Sequence, residues 1–154
     1  MLWQLSLAPG LRTRVLRYAN AHRQPLNKVL HYIGIPLLLV SSLGLLAKLA
    51  LPVGGAPPAL RPNAAWVVLL AAAVWYLRLD WRVGLLTLVF WTAGYLLGTS
   101  LSAGIVAAGF AAGIVAHVIG HYGFEHKPPA VLTEPAAVFE APVWLLCHLA
   151  ALDR

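Results

Sequence analysis

The sequence predicts an all-α integral membrane bundle, on three observations. Of the 154 residues, 60% are hydrophobic and only 10% are charged, against about 25% charged in soluble domains. Mean hydropathy is +0.78, which excludes both a soluble globular domain and a disordered chain. The apolar residues also fall in runs of membrane-crossing length, with the charges gathered at their ends. A spanning helix takes roughly 20 residues, so four would use about half the chain and leave a single membrane domain over 1–154. The formal charge of +6 comes from eleven Lys and Arg against five Asp and Glu. Placed at the ends of apolar runs, it suits anionic lipid headgroups better than nucleic acid. The single cysteine, Cys147, excludes an intrachain disulfide and reads as a small core residue beside Leu145 and Leu146.

The elements follow in order. Met1 to Ala8 is too short an apolar run for a secretory signal, and the arginines follow it. Leu11 to His22 reads as an amphipathic helix at the membrane interface, with Leu11, Val15, Tyr18, Ala19 and His22 on one face. Arg12, Arg17, Asn20 and Arg23 take the other face. Pro25 ends that helix, and Asn27 is expected to cap the next, from Lys28 into a first span near 33–51. Four prolines and two glycines make Pro52 to Asn63 a loop. Further spans are expected near 64–79, 83–101 and 102–119, with Asp80 in the tight connection between Arg78 and Arg82. Gly104, Gly109 and Gly113 should allow close helix contact. The segment 136–152, interrupted by Glu140, Pro142 and His148, is expected to be partly buried or re-entrant. With the N-terminus inside, Arg12, Arg14, Arg17, Arg23, Lys28, Arg78, Arg82, Lys127 and Arg154 face the cytoplasm; Lys48 and Arg61 do not. The positive-inside rule therefore predicts both termini cytoplasmic. That folding brings His22, His31, Asp80, His117, His121, Glu125 and His126 to one membrane depth.

Six histidines against five carboxylates leave too few acids to pair them. Ionisable groups inside membranes are costly and usually functional, and neutral imidazole is a common ligand for iron, copper, nickel and zinc. On a continuous helix His117, His121 and Glu125, spaced i, i+4, i+8, form one polar stripe, and an i, i+4 histidine pair can hold one ion. The break at Pro25 lets His22 and His31 fold toward each other. His126 and His148 read as packing or interfacial residues.

Two motifs carry a resemblance. Tyr18-x3-His22-x4-Asn27-x3-His31-x2-Gly34-x-Pro36 and, about ninety residues on, Gly120-His121-x2-Phe124-Glu125-x3-Pro129-Ala130 resemble the two signatures of the iron-dependent 2-hydroxy fatty acid dioxygenases, first characterised in yeast. Asp80 before Arg82 also matches a recurring position, and the similarity runs from Tyr18 to about Leu146. The resemblance implies a small membrane enzyme that takes a 2-hydroxy fatty acid and O2 to a fatty acid one carbon shorter. In eukaryotic members this serves phytosphingosine breakdown at the endoplasmic reticulum; a bacterial member would lie in the inner membrane. Fe(II) on His22, His31 and His121 is what it implies here. His117 stands where the family usually has glutamine, so its place as a further ligand rests on its spacing from His121 alone. His148 stands where many members have glutamate. Glu125 is expected to orient a histidine or accept a proton, and Asn27, Lys127 and Arg23 to meet the substrate. Tyr18 and Asp80 are expected as structural support, and an apolar groove among the helices to take the acyl tail. Two rival classes are a bis-histidine haem or electron-transfer protein and a lipid-binding protein without chemistry.

Overall fold

The computed structural model describes residues 7–51, 55 and 57–150. Arg154, both ends of the chain and part of the Pro52–Asn63 loop lie outside the described residues. Among the described residues there are six α-helices: α1 Pro9–Ala21, α2 Pro25–Ala47, α3 Ala64–Leu79, α4 Trp81–Ser100, α5 Ala103–Val118 and α6 Ala137–Leu149. A π-helical turn, Ile119–Glu125, extends α5. Fold class is therefore as the composition predicts, a helical membrane bundle.

The first long helix departs from the sequence reading at both ends. Proline at the first helical position starts α2 at Pro25, so Asn27 lies inside the first turn and is not its cap. The first long apolar helix thus covers 25–47, not 33–51. Three helices are long and apolar enough to cross a membrane: Pro25–Ala47, Trp81–Ser100 and Ala103–Glu125. The expected second span, α3, keeps its bounds but has 16 residues, about 24 Å of helix against a hydrocarbon core of about 30 Å.

Helix α2 is the central post. Its C-terminal end lies beside that of α4, where the Lys48 ammonium donates to the Leu101 carbonyl at 2.8 Å. A Cβ built on Gly98 would stand 2.8 Å from the Gly44 nitrogen, so these two backbones touch. Against its other side α5 runs antiparallel: Gly113 meets Leu38, Gly109 meets Ser41, and His117 lies on Gly34. Close approach at small residues is how helices associate where lipid removes the hydrophobic drive. Gly104, expected to share this role, faces open space.

Asp80 joins α3 to α4. One carboxylate oxygen accepts from the Arg82 and Val83 amides as an N-cap, and the other accepts from the Ala8 amide at 2.9 Å. It therefore ties the start of α1 to the α3–α4 turn. Helix α1 buries Leu11, Val15 and Tyr18, the predicted apolar face, mainly against α6. Glu140 of α6 is buried and takes Arg14, at 3.0 Å, and Arg17. The carboxylate that interrupts an apolar segment is thus the anchor between these two helices.

Candidate metal centre

The site forms where the C-terminus of α1, the first two turns of α2 and the π turn meet. Three imidazoles are set by the backbone in the same way. His22 Nδ1 lies 2.7 Å from the Tyr18 carbonyl, His31 Nδ1 2.9 Å from that of Asn27, and His117 Nδ1 2.9 Å from that of Gly113. A carbonyl only accepts, so in each ring Nδ1 carries the hydrogen and Nε2 keeps its lone pair. Such a bond fixes the tautomer and aims the other nitrogen.

Ligating nitrogens of His22, His31 and His121 lie within 4.8 Å of one another, and all three residues are buried. The rings meet edge-on: interplanar angles are 65° for His22–His31, 74° for His22–His121 and 76° for His31–His121. His22 Nε2 stands 3.2 Å from His121 Nε2. His31 Nε2 is buried with no hydrogen-bond partner. Leaving a buried acceptor unpaired costs about 1–3 kcal/mol. A cation satisfies both features at once. Two nitrogens bound at about 2.1 Å to one ion stand about 3.0–3.4 Å apart for angles from square to tetrahedral. Burial holds the His22 imidazole below its usual pKa despite the Tyr18 carbonyl, which favours the neutral form that a metal site would need. The donor set of three neutral imidazoles fits a first-row divalent metal such as iron or zinc.

A second layer of residues holds this layer in place. Asn27, fully buried, gives its backbone carbonyl to His31 and its amide to the Glu125 carboxylate at 3.1 Å. The same Glu125 oxygen accepts from the Gln24 amide at 2.8 Å. Glu125 therefore clamps the π turn onto the α1–α2 corner. The Tyr18 ring stacks on His22 at 4.2 Å, and Trp144 lies 5.1 Å from Tyr18 and 5.8 Å from His22.

A cavity of about 290 Å³ opens from this layer into the bundle. His22, His117 and His121 line one end, and Ile35, Leu39, Leu43, Leu46, Val68 and Trp91 continue it. Its wall is almost wholly apolar beyond the histidines.

The structure brings His22, His31 and His121 together and seats Asn27 and Glu125 behind them. His117 is beside this group and not in it. Its ring lies 4.4 Å from that of His31, flat on Gly34. His117 and His121 line the same end of the cavity, but the ring nitrogens that converge are those of His22, His31 and His121. Lys127 and His126 are exposed, and His126 ends the π turn in the left-handed conformation, φ 54°. His148 stacks on Trp144 and Tyr32, a packing role. The sequence reading did not find Trp144 or the anchoring role of Glu140. One signal for Glu140 was available: it is a lone acid in an apolar segment, with Arg14 and Arg17 one turn apart on an earlier helix.

Fold and site together define a helical membrane protein with a buried three-histidine cluster at the mouth of an apolar cavity. The chain belongs to the family described as 2-hydroxy-palmitic acid dioxygenase Mpo1-like, whose family model matches residues 10–152. No curated protein and no solved structure matches it.

Proposed function

We propose that this protein is an Fe(II)-dependent dioxygenase that converts a 2-hydroxy fatty acid and O2 to the fatty acid one carbon shorter. The observation that carries the reading is the convergence of three buried imidazoles, one nitrogen unpaired, at the polar end of an apolar cavity. The family's description supports the substrate class. Loss of the carboxyl carbon as CO2, with one water, balances the reaction on O2 alone, so no added reductant is needed. His22, His31 and His121 would hold the ion, and Fe(II) there supplies the redox chemistry that lets O2 react with the organic substrate. Tyr18, Asn27 and Gly113 fix the tautomers; Glu125 positions His31 through Asn27. The cavity excludes water and aligns the acyl chain, so the carboxyl and 2-hydroxyl end lies at the histidines. A haem suits this geometry poorly. It needs two imidazoles on opposite faces of a flat ring, and here the three ring centroids stand 4.4–5.0 Å from one another, which leaves no room for one. The excess of Arg12, Arg14, Arg17, Arg23, Lys28 and Lys127 at the histidine end supports a cytoplasmic orientation for it.

The test is turnover. Protein reconstituted with Fe(II) should consume one O2 per 2-hydroxy acid and release the shortened acid. No product with iron bound would overturn the reading.

We assign His117 to the substrate and not to the ion, because Gly113 and Gly34 hold its ring on the cavity wall. His117→Gln should keep near-normal iron while kcat/KM falls about fivefold, the worth of one hydrogen bond of ~1 kcal/mol. Metal analysis of the purified variant decides, since a ligand role requires lost iron.

A further inference from the structure

We propose that the acyl chain passes between bilayer and cavity sideways, through a portal between α5 and α6 framed by Phe110, Ile114, Val131 and Val138. This deepens the proposed function and rests on its reading of the cavity as the acyl site. All four residues line the cavity, and all four are also exposed on the outer surface of the bundle. By contrast, the wall opposite, formed by Ile35, Leu39, Leu43 and Trp91, is buried. The cavity therefore has a closed back and an open front. Packing gives the reason: α5 rests on α2 and the π turn, whereas α6 rests on α1, α2 and α4. The space between α5 and α6 is where the wall is thinnest.

Chemistry points to lipid as what lies outside. None of the framing residues is polar. Their exposed chain neighbours Val115 and Leu132 are apolar too, and the polar Thr133 and Glu134 follow beyond them, Glu134 paired with Arg17. Ile114 and Phe110 precede His117 by three and seven residues, about 4.5 and 10 Å along the helix. The opening thus lies on the hydrocarbon side of the histidines. A 2-hydroxy fatty acid in the bilayer keeps its carboxyl near the headgroups and its chain at this depth. Sideways passage spares the chain any contact with water, which every methylene would oppose.

The probe is 2-hydroxyhexadecanoic acid carrying a mid-chain diazirine, loaded anaerobically into iron-bound protein in lipid nanodiscs. Irradiation should place adducts on the segments 110–114 and 138–141. After loading, transfer of the probe to empty vesicles should slow about tenfold in Ile114→Trp/Val138→Trp, the factor that about 1.4 kcal/mol of added barrier brings. Val115→Trp, on the same helix but outside the cavity, should exchange at the wild-type rate. The single variants Ile114→Trp and Val138→Trp serve if the double variant does not fold. Adducts confined to other segments, or undiminished exchange in the portal variants, would overturn the portal. Adducts in place without turnover under O2 would leave it standing and count against the dioxygenase alone.

Discussion

Alanine at His22, His31 or His121 is expected to strip the purified protein of iron and to abolish turnover. Each ring contributes one of the three converging nitrogens found among the described residues, and the Glu125 carboxylate behind them is held by Gln24 and Asn27. Changing a residue that merely orients a ligand typically costs 10–100-fold in metal affinity, so losing a ligand should cost about a hundredfold or more. Thermal unfolding gives a readout independent of activity. A ligand that binds only the folded state stabilises by RT ln(1 + [L]/Kd), about 2.7 kcal/mol at a hundred times Kd. Added Fe(II) should therefore raise the Tm of wild type and leave that of each variant nearly unchanged. Without metal, His31→Ala should be only mildly destabilised, because it also removes the buried unpaired nitrogen. Equal iron content and an equal Tm shift in all three variants would reject the ligand set. A haem protein would instead show a sharp Soret band.

The meeting of His22, His31 and His121 was legible from two rules of placement taken together with the two motifs, which singled out these three among the histidines. Helical periodicity put His22 on the buried face of α1 with Leu11, Val15 and Tyr18, and charge asymmetry put both halves of the site at one membrane depth. The shape of the site was not legible, because contacts about 100 positions apart determine it. Glu125 meets Gln24 and Asn27 across the bundle, so Asn27 serves this clamp and not a helix cap. A π turn leaves no mark in apolar spacing; it is sustained by packing on α2. Gly34 and Gly120 could be read as motif letters but not as contacts, since a glycine's function here is the atom that approaches it.

Gly120 should be the most sensitive position outside the ligands themselves. A Cβ built there would lie 2.2 Å from Asn27 Oδ1 and 3.5 Å from His31 Cε1. Asn27 cannot simply turn away: it is fully buried, its amide holds Glu125, and its carbonyl holds His31. The added methyl of Gly120→Ala must therefore displace the first turn of α2 or the π turn, and His31 or His121 moves with it. Overpacking of this kind costs about 1–3 kcal/mol, and misaimed imidazoles should lower iron affinity by about 10–100-fold. A structural loss alone is separated by a second change. Asn27→Ala in the Gly120→Ala background removes the atoms the methyl strikes, so iron affinity should recover in part although the Glu125 clamp is lost. That is a non-additive pair of the sort expected of residues in contact. Gly104→Ala gives the contrast, since nothing lies within 4 Å of a Cβ there. Alanine is the better helix former by about 1 kcal/mol, so that variant should be as stable as wild type or more so, with full iron. Metal titration across the four proteins decides, and wild-type affinity in Gly120→Ala would show that the π turn does not aim the histidines.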